Sequence, residues 1–179
     1  MSDLSISNVV GGGEFSREFD LPEVYHDFPA TNLQYEPDSF PALVVRYNSL
    51  DATIMLFSSG KFSLAGAKSI DDALQAKEKF TSDIESLLDD SVDPDFEIRY
   101  LVCTGDIGFP IDLNKVITLF GIENVEYEPE QFPGLFYRPG DDWFAIIFSS
   151  GKIIVDGHAE FQKLESEFDR LKKELLKIK

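Results

Sequence analysis

The chain has 179 residues, and its 33 acidic and 16 basic residues give a formal net charge of −17. Hydrophobic residues make up 43% of the chain and aromatic residues 13%, which excludes a disordered polymer and predicts one large domain or two small ones. Nucleic-acid-binding domains usually carry clustered Lys and Arg. The charge therefore argues against a generic basic nucleic-acid surface.

The first half of the chain predicts strands, a short helix and a long helix. The predicted elements are a strand over residues 6–15, a helix over 21–27, and strands at 42–47, 53–57 and 62–65. A glycine in the SSGK at residues 58–61 suits a tight hairpin turn. The long helix follows, with Ser69 and Asp72 placed as a capping box. Its apolar stripe is Ala73, Ala76, Phe80, Ile84 and Leu87.

The second half predicts the same elements in the same order. They are a strand over residues 98–107, a helix over 113–120, and strands at 134–138, 143–148 and 153–156. The last helix carries the apolar stripe Phe161, Leu164, Phe168, Leu171 and Leu175. Strands with amphipathic helices on one side predict an α+β layer structure. One sheet face would then be free of helices, and function should be sought there.

This agreement reflects an internal duplication. LQYEPDSFPAL at residues 33–43 matches VEYEPEQFPGL at 125–135 with an offset of 92 residues, and MLFSSGK at 55–61 matches IIFSSGK at 146–152 with an offset of 91. The two offsets differ by one residue. This one-residue deletion falls in a turn between the two matching stretches, where deletions are tolerated. We therefore predict two repeats, residues 1–92 and 93–179, that form one unit with pseudo-two-fold symmetry.

Several kinds of site are excluded by the sequence. The glycines at residues 11–13, and those of the two SSGK turns, lack the spacing of a phosphate-binding loop. His26, His158 and the single cysteine, Cys103, lack metal-ligand spacing and any nucleophile–base pattern. We therefore expect no cofactor, no metal and no enzymatic activity.

The same residues bear on the location of the protein. One cysteine cannot form an intramolecular disulfide, which is typical of an intracellular protein. No run of about 18 apolar residues is present, and the first ten residues lack a signal-peptide pattern. We therefore expect a cytoplasmic protein that has no membrane partner.

The duplicated stretches YEPDSFPAL and YEPEQFPGL, each followed by an Arg and FSSGK, resemble the TATA-box-binding protein family, in particular its archaeal branch. The resemblance implies a saddle: a curved ten-stranded antiparallel sheet with four helices on the convex face. It also implies a general transcription initiation factor, associated with the nucleoid of an archaeal-type cell. Such a factor binds and bends double-stranded promoter DNA at the TATA box through the minor groove.

The resemblance also implies which residues carry these functions. Phenylalanines that wedge between base steps would be Phe40, Phe57, Phe132 and Phe148. Phosphate contacts would be Arg46, Lys61, Lys68, Arg138 and Lys152. Contacts to the groove floor would be Asn8, Val10 and Val102. The acidic loop residues Glu128 and Glu130 would bind a B-type transcription initiation factor.

The sequence departs from the family pattern in the second repeat. Tyr100 stands where the family has a second asparagine, Asp156 stands at a threonine position, and Ala159 replaces a lysine. An ionised Asp can only accept hydrogen bonds, and an A·T minor groove also presents only acceptors. An alternative function is therefore a family paralogue with weakened DNA binding that acts as a protein-interaction or regulatory module. A weak homodimer in the absence of DNA is a further open alternative.

Overall fold

The computed structural model describes residues 3–30 and 32–179, and over these residues it contains ten strands and four α-helices. The strands are β1 Leu4–Glu14, β2 Leu33–Glu36, β3 Phe40–Tyr47, β4 Ala52–Phe57, β5 Lys61–Ala65, β6 Asp95–Asp106, β7 Val125–Glu126, β8 Leu135–Tyr137, β9 Phe144–Ile147 and β10 Lys152–Asp156. The helices are α1 Leu21–Asp27, α2 Ile70–Leu88, α3 Leu113–Phe120 and α4 Phe161–Leu175. The predicted α+β class, with ten strands and four helices, is confirmed.

The contacts divide the chain into two compact units. The first unit is Asn8–Arg99, and the second contains Tyr100–Lys179 together with the described residues before Asn8. Strands β1 and β6 are each divided between the two units. The strand order is β2-β3-β4-β5-β1-β6-β10-β9-β8-β7, and the register of each described pair is antiparallel. The sequence boundary near Val92 remains a prediction about the repeats.

In the first unit, helix α2 packs against strands β4 and β5. Alternate residues of β4 and β5 are buried on the covered side, namely Ile54, Leu56, Phe62 and Leu64. Phe80 of α2 lies 5.4 Å from the ring of Phe62 and 5.9 Å from that of Phe15, measured between ring centroids. Strand alternation thus supplies one apolar face to the helix, as expected for a half-covered antiparallel sheet.

The second unit repeats this arrangement with α4 on strand β10. The predicted stripe of α4 is buried at Leu164, Phe168, Leu171 and Leu175, while Phe161 is half-buried. A Cβ atom at Gly105 would lie 2.6 Å from the Phe168 ring, so only glycine lets this ring approach β6 closely.

Local signals set the ends of several elements. The backbone N–H of Asp72 donates to Ser69 Oγ at 3.0 Å, which confirms the predicted cap of α2. Gly60 and Gly151 of the SSGK turns have φ values of +87° and +93°, a region that L-residues with a Cβ rarely adopt. Helices α1 and α3 have the predicted bounds. No helix in the described ranges combines the length and apolarity needed to cross a bilayer.

The two outer strands, β2 and β7, are not evident from the hydrophobic pattern. They contain only four and two residues, and Leu33, Tyr35 and Val125 are their half-buried positions. Such short strands present too few alternations to be recognised by period. Their pairing with β3 and β8 is a tertiary outcome.

We predict that Tyr47→Phe destabilises the first unit. The Tyr47 hydroxyl donates to Asp83 Oδ2 of α2 at 2.7 Å, and burial raises the pKa of Tyr47. Removing this donor leaves the poorly solvated Asp83 carboxylate with only the longer contact to Lys79, at 3.4 Å, so the free energy of unfolding should fall by about 1–2 kcal/mol. Urea unfolding of both proteins measures the change. Tyr25→Phe, on an exposed ring of α1, is the matched control, and equal effects of the two substitutions would contradict the prediction.

Candidate nucleic-acid interface

Each unit has a second sheet face that its long helix does not cover. In the first unit, cross-strand partners on this face include Ala42 with Phe57, and Val44 with Met55. Ser63 pairs with Met55 across β5 and β4. Apart from the small Ala42, these side chains are half-buried rather than buried. We call this surface the uncovered face of its unit.

The four predicted wedge residues form two similar pairs, one in each unit. The rings of Phe40 and Phe57 have centroids 6.3 Å apart and planes at 66°. The rings of Phe132 and Phe148 have centroids 5.9 Å apart and planes at 64°. Phe40 is 43% exposed and Phe132 is 39% exposed. The pairing predicted from the repeat is therefore present in both units, with one ring of each pair projecting further into solvent.

The glycine beside the second pair explains its closer packing. A Cβ atom at Gly134 would lie 2.7 Å from a ring carbon of Phe132 and 2.6 Å from Ile146 Cγ2. The first repeat has Ala42 at the corresponding position. The absent Cβ gives the Phe132 ring room to lie against the sheet in the second unit.

Most of the predicted phosphate contacts carry a charge that no acid neutralises nearby. Among the described residues, Arg46, Lys61, Arg138 and Lys152 form no ion pair within 4.0 Å. Lys68 differs, because its Nζ lies 2.8 Å from Asp51 Oδ2. This carboxylate raises the pKa of Lys68. Lys68 would therefore have to exchange one anion for another on binding phosphate.

Asn8 is held in a defined orientation on the uncovered face of the first unit. Its Oδ1 accepts a hydrogen bond of 2.7 Å from the backbone N–H of Gly66. Because the acceptor end of the amide is used in this way, the NH₂ group remains as the donor that Asn8 can offer a ligand. A donor is the group required by the acceptor-only edge of an A·T pair. Val10 and its counterpart Val102 are half-buried on their strands.

The second unit has a different floor. Asp156 pairs with Phe144 on one side and with Val102 on the other. These apolar neighbours restrict hydration of its carboxyl group, and the desolvation raises the pKa of Asp156. Tyr100, which stands at the asparagine position, is 37% exposed. The unit therefore presents aromatic and acidic groups where the first unit presents small side chains and an amide.

Sequence reasoning did not single out two further aromatic residues of this surface, Phe136 and Phe144. The guanidinium of Arg138 lies over both rings, 5.7 Å and 4.8 Å from their centroids. Phe136 pairs with Ile146 across β8 and β9. Their repeat counterparts, Val44 and Thr53, are not aromatic, and comparing these aligned positions would have revealed the difference.

The predicted partner-binding loop is an ordered, exposed turn. The Glu128 carbonyl accepts hydrogen bonds from the backbone N–H groups of Gln131 and Phe132, at 2.9 Å and 3.0 Å. The Gln131 amide also donates to the Glu128 carboxylate. Glu128 and Glu130 are both exposed. The turn therefore presents two carboxylates beside the wedge residue Phe132.

The residues that could suggest catalysis have structural explanations. Cys103 is buried, and desolvation raises its pKa to about 11, which leaves an unreactive thiol at neutral pH. His26 lies on the surface with Nδ1 2.6 Å from Asp27 Oδ1. Within residues 3–30 and 32–179, no group of three or more His, Cys, Asp or Glu side chains has metal-binding geometry.

The geometry can be compared with known proteins. The family model described as "Transcription factor TFIID (or TATA-binding protein, TBP)" matches residues 3–87 and 95–178. The chain is similar to the TATA-box-binding protein of Natronomonas pharaonis, with 36% identity over 94% of this chain and 90% of the relative. It is also similar to the TATA-box-binding protein of Archaeoglobus fulgidus, with 32% identity over 96% and 94%.

A solved structure gives the same result for the fold. The chain matches Methanococcus jannaschii TBP with a TM-score of 0.79 and 32% sequence identity, over 98% of this chain and 99% of the other. The resemblance inferred from the duplicated motifs is therefore confirmed. The proteins matched are transcription factors, in agreement with the prediction that the chain is not an enzyme.

We predict that Asp156→Asn stabilises the protein at neutral pH. Burial raises the pKa of Asp156 in the folded state. At a pH above that pKa, ionisation of Asp156 therefore costs folding stability. At a pH below the unfolded-state pKa, the carboxyl is protonated in both states and the cost vanishes. The melting temperature should rise by roughly 1–2 °C at pH 7, and the gain should shrink as the pH falls through the pKa of Asp156. Asp141→Asn, on an exposed loop, is the control. A gain independent of pH would contradict the prediction.

Proposed function

The chain belongs to the TATA-box-binding protein family of transcription factors, and from that premise we propose that its uncovered faces bind promoter DNA in the minor groove. The two phenylalanine pairs would insert between base steps, one pair from each unit. Asn8, Val10 and Val102 would contact the groove floor. Arg46, Lys61, Lys68, Arg138 and Lys152 would contact phosphates.

The observation that carries this proposal is the matched geometry of the two phenylalanine pairs. Rings such as Phe40 and Phe132 are about 40% exposed although they are large and apolar. A soluble protein seldom exposes large apolar groups in the same arrangement twice without a ligand to cover them. Edges of aromatic rings are suited to separate stacked bases, which is how minor-groove binders kink a duplex.

The distribution of charge is compatible with DNA binding despite the net charge of −17. Several helix lysines are paired with nearby acids, for example Lys79 with Asp83 and Lys177 with Glu174. Of the five basic residues proposed to contact phosphates, only Lys68 has such a partner among the described residues. The remaining carboxylates repel DNA at long range, and salt screens this repulsion. We therefore expect a weaker loss of affinity with salt than a basic DNA-binding domain shows.

A second candidate function follows from the floor of the second unit. This floor is poorly complementary to the edge of an A·T groove. The Asp156 carboxylate repels the acceptors of the bases, and the rings of Tyr100 and Phe144 occupy space in the groove. The chain would then be a paralogue that keeps the fold and its protein contacts but binds DNA weakly.

We further propose that the exposed turn carrying Glu128 and Glu130 recruits a B-type initiation factor. The backbone of this turn is fixed by hydrogen bonds. Within residues 3–30 and 32–179, neither acid forms an ion pair within 4.0 Å, so both carboxylates are available to a partner. A basic surface on the partner would complement them, giving orientation and a faster encounter.

The proposed DNA function is tested by mobility shift on a duplex with a central TATA box, over a salt series, with and without a purified B-type factor. We predict that Phe57→Ala combined with Phe148→Ala lowers the affinity at least tenfold, because each pair loses a wedge. Tyr25→Ala, which removes an exposed ring from α1, is the control. No binding by the parent protein at any salt, with binding to the factor retained, would establish the second candidate instead.

We predict that Glu128→Arg with Glu130→Arg weakens binding to the B-type factor roughly tenfold or more, because like charges would then face each other. DNA affinity in the absence of the factor should not fall. Asp141→Arg with Asp142→Arg makes the same change of charge on another exposed loop of the second unit. Titration of the purified factor measures both variants, and equal losses would show a non-specific charge effect.

A further inference from the structure

One basic side chain of the first unit, Arg99, lies on the uncovered face but is not among the predicted phosphate contacts. Gly12 of β1 pairs with Ser63 of β5, and Ser63 alternates with the buried Phe62 and Leu64. Directly opposed residues of an antiparallel pair direct their Cβ atoms to the same face. A Cβ atom at Gly12 would therefore point to the uncovered face, and it would lie 2.7 Å from Arg99 Cζ and 2.7 Å from a terminal nitrogen.

The guanidinium thus lies against the backbone of Gly12, in the space that any other residue would fill. This contact accounts for the burial of Gly12 on a face whose other side chains are half-buried. Gly12 has no positive φ, so backbone conformation does not require glycine here. The close approach of the Arg99 side chain is what requires glycine at this position.

The second unit has no equivalent arrangement. The repeat offset of 92 places Ser7 opposite Arg99 and Thr104 opposite Gly12 in the alignment. Ser7 Oγ donates to the Val102 carbonyl at 3.1 Å, and Thr104 carries its own Cβ. A short side chain bound to the backbone therefore occupies the position at which the first unit has a guanidinium.

Arg99 contributes to a cavity of about 700 Å³ on the first unit. The cavity also contains the wedge residue Phe57, the phosphate candidate Lys61 and the hydroxyl residue Ser63. Three acids, Glu14, Asp95 and Glu97, line it as well. The acids outnumber the two bases of this cavity, Lys61 and Arg99. None of the three forms an ion pair with Arg99 within 4.0 Å among the residues described.

We propose that Arg99 is a specificity-determining contact to the floor of the minor groove, and that Gly12 positions it there. This inference rests on the proposed DNA binding. The guanidinium has five donors and no acceptor, and A·T pairs present only the acceptors A N3 and T O2 in the minor groove. A G·C pair adds the N2 amino donor, which opposes a guanidinium. Narrow A·T-rich grooves also attract Arg through their enhanced negative potential.

The two uncovered faces would then have different roles. The first unit has two groups that donate into the groove, the Asn8 amide and the Arg99 guanidinium. The second has a partly buried carboxyl, Asp156, and aromatic rings. Discrimination of A·T from G·C would therefore come chiefly from the first unit, while the second would contribute wedges and apolar contact.

The test uses the full chain and three single substitutions. Arg99→Ala removes the guanidinium. Gly12→Ala keeps the charge but places a methyl group where the guanidinium lies, and the flexible end of Arg99 can move aside without straining the backbone. Arg17→Ala is the control, because Arg17 is exposed near Phe19 and its removal changes the net charge equally. The double variant Gly12→Ala with Arg99→Ala completes a cycle.

Affinities are measured at one salt concentration on a TATA duplex and on the same duplex with G·C pairs in one half of the box. Arg99→Ala should lower affinity for the TATA duplex roughly tenfold and reduce the preference over the G·C duplex by a similar factor. Gly12→Ala should cause a comparable loss, and the double variant should lose little more. Arg17→Ala should leave the preference unchanged.

Four results would overturn the inference. If Arg99→Ala weakens binding to both duplexes equally, and the slope of log affinity against log salt falls by the amount expected for one phosphate contact, Arg99 binds the DNA backbone instead. If it lowers only the melting temperature, Arg99 stabilises the fold. If the parent protein and all variants bind neither duplex, the proposed DNA function fails as well, whereas binding by the parent with unchanged variants refutes the Arg99 inference alone.

Discussion

The packing of one long helix on one face of the sheet is the interaction on which each unit depends. It buries the alternate apolar residues of the strands, represented by Phe62 with Phe80 in the first unit and by Phe168 over Gly105 in the second. Because the opposite side chains of the same strands cannot reach that core, they are released from packing constraints. The uncovered faces could therefore diverge without loss of the fold.

The divergence is confined to particular positions. The ends of both uncovered faces keep nearly the same phenylalanine geometry, with ring centroids 6.3 Å and 5.9 Å apart. The floors differ, since one carries Asn8 bound to a backbone N–H and the other carries Asp156 between apolar neighbours. Wedging needs only apolar rings at the right places, whereas hydrogen bonding to base edges needs donors. The two requirements are met by different residues and can change independently.

Net charge gave limited information about the location of function. Acids outnumber bases in the chain, but among the described residues Arg46, Lys61, Arg138 and Lys152 form no ion pair, whereas Lys68 and several helix lysines do. A whole-chain charge sums over surfaces that face different surroundings. Local ion pairing, which depends on the tertiary structure, decides which charges a ligand would meet.

The sequence by itself determined the duplication, the bounds of helices α1 and α3, the cap at Ser69 and the matched phenylalanines, because each follows from local order or from a repeat within the chain. The outer strands β2 and β7 were too short to be recognised by pattern. Only the tertiary structure placed Arg99 on Gly12, or Asp156 between Phe144 and Val102. These neighbours come from different strands, and their meeting depends on strand register. A shift of one residue in register would turn each side chain to the other face, so no local pattern encodes the contact.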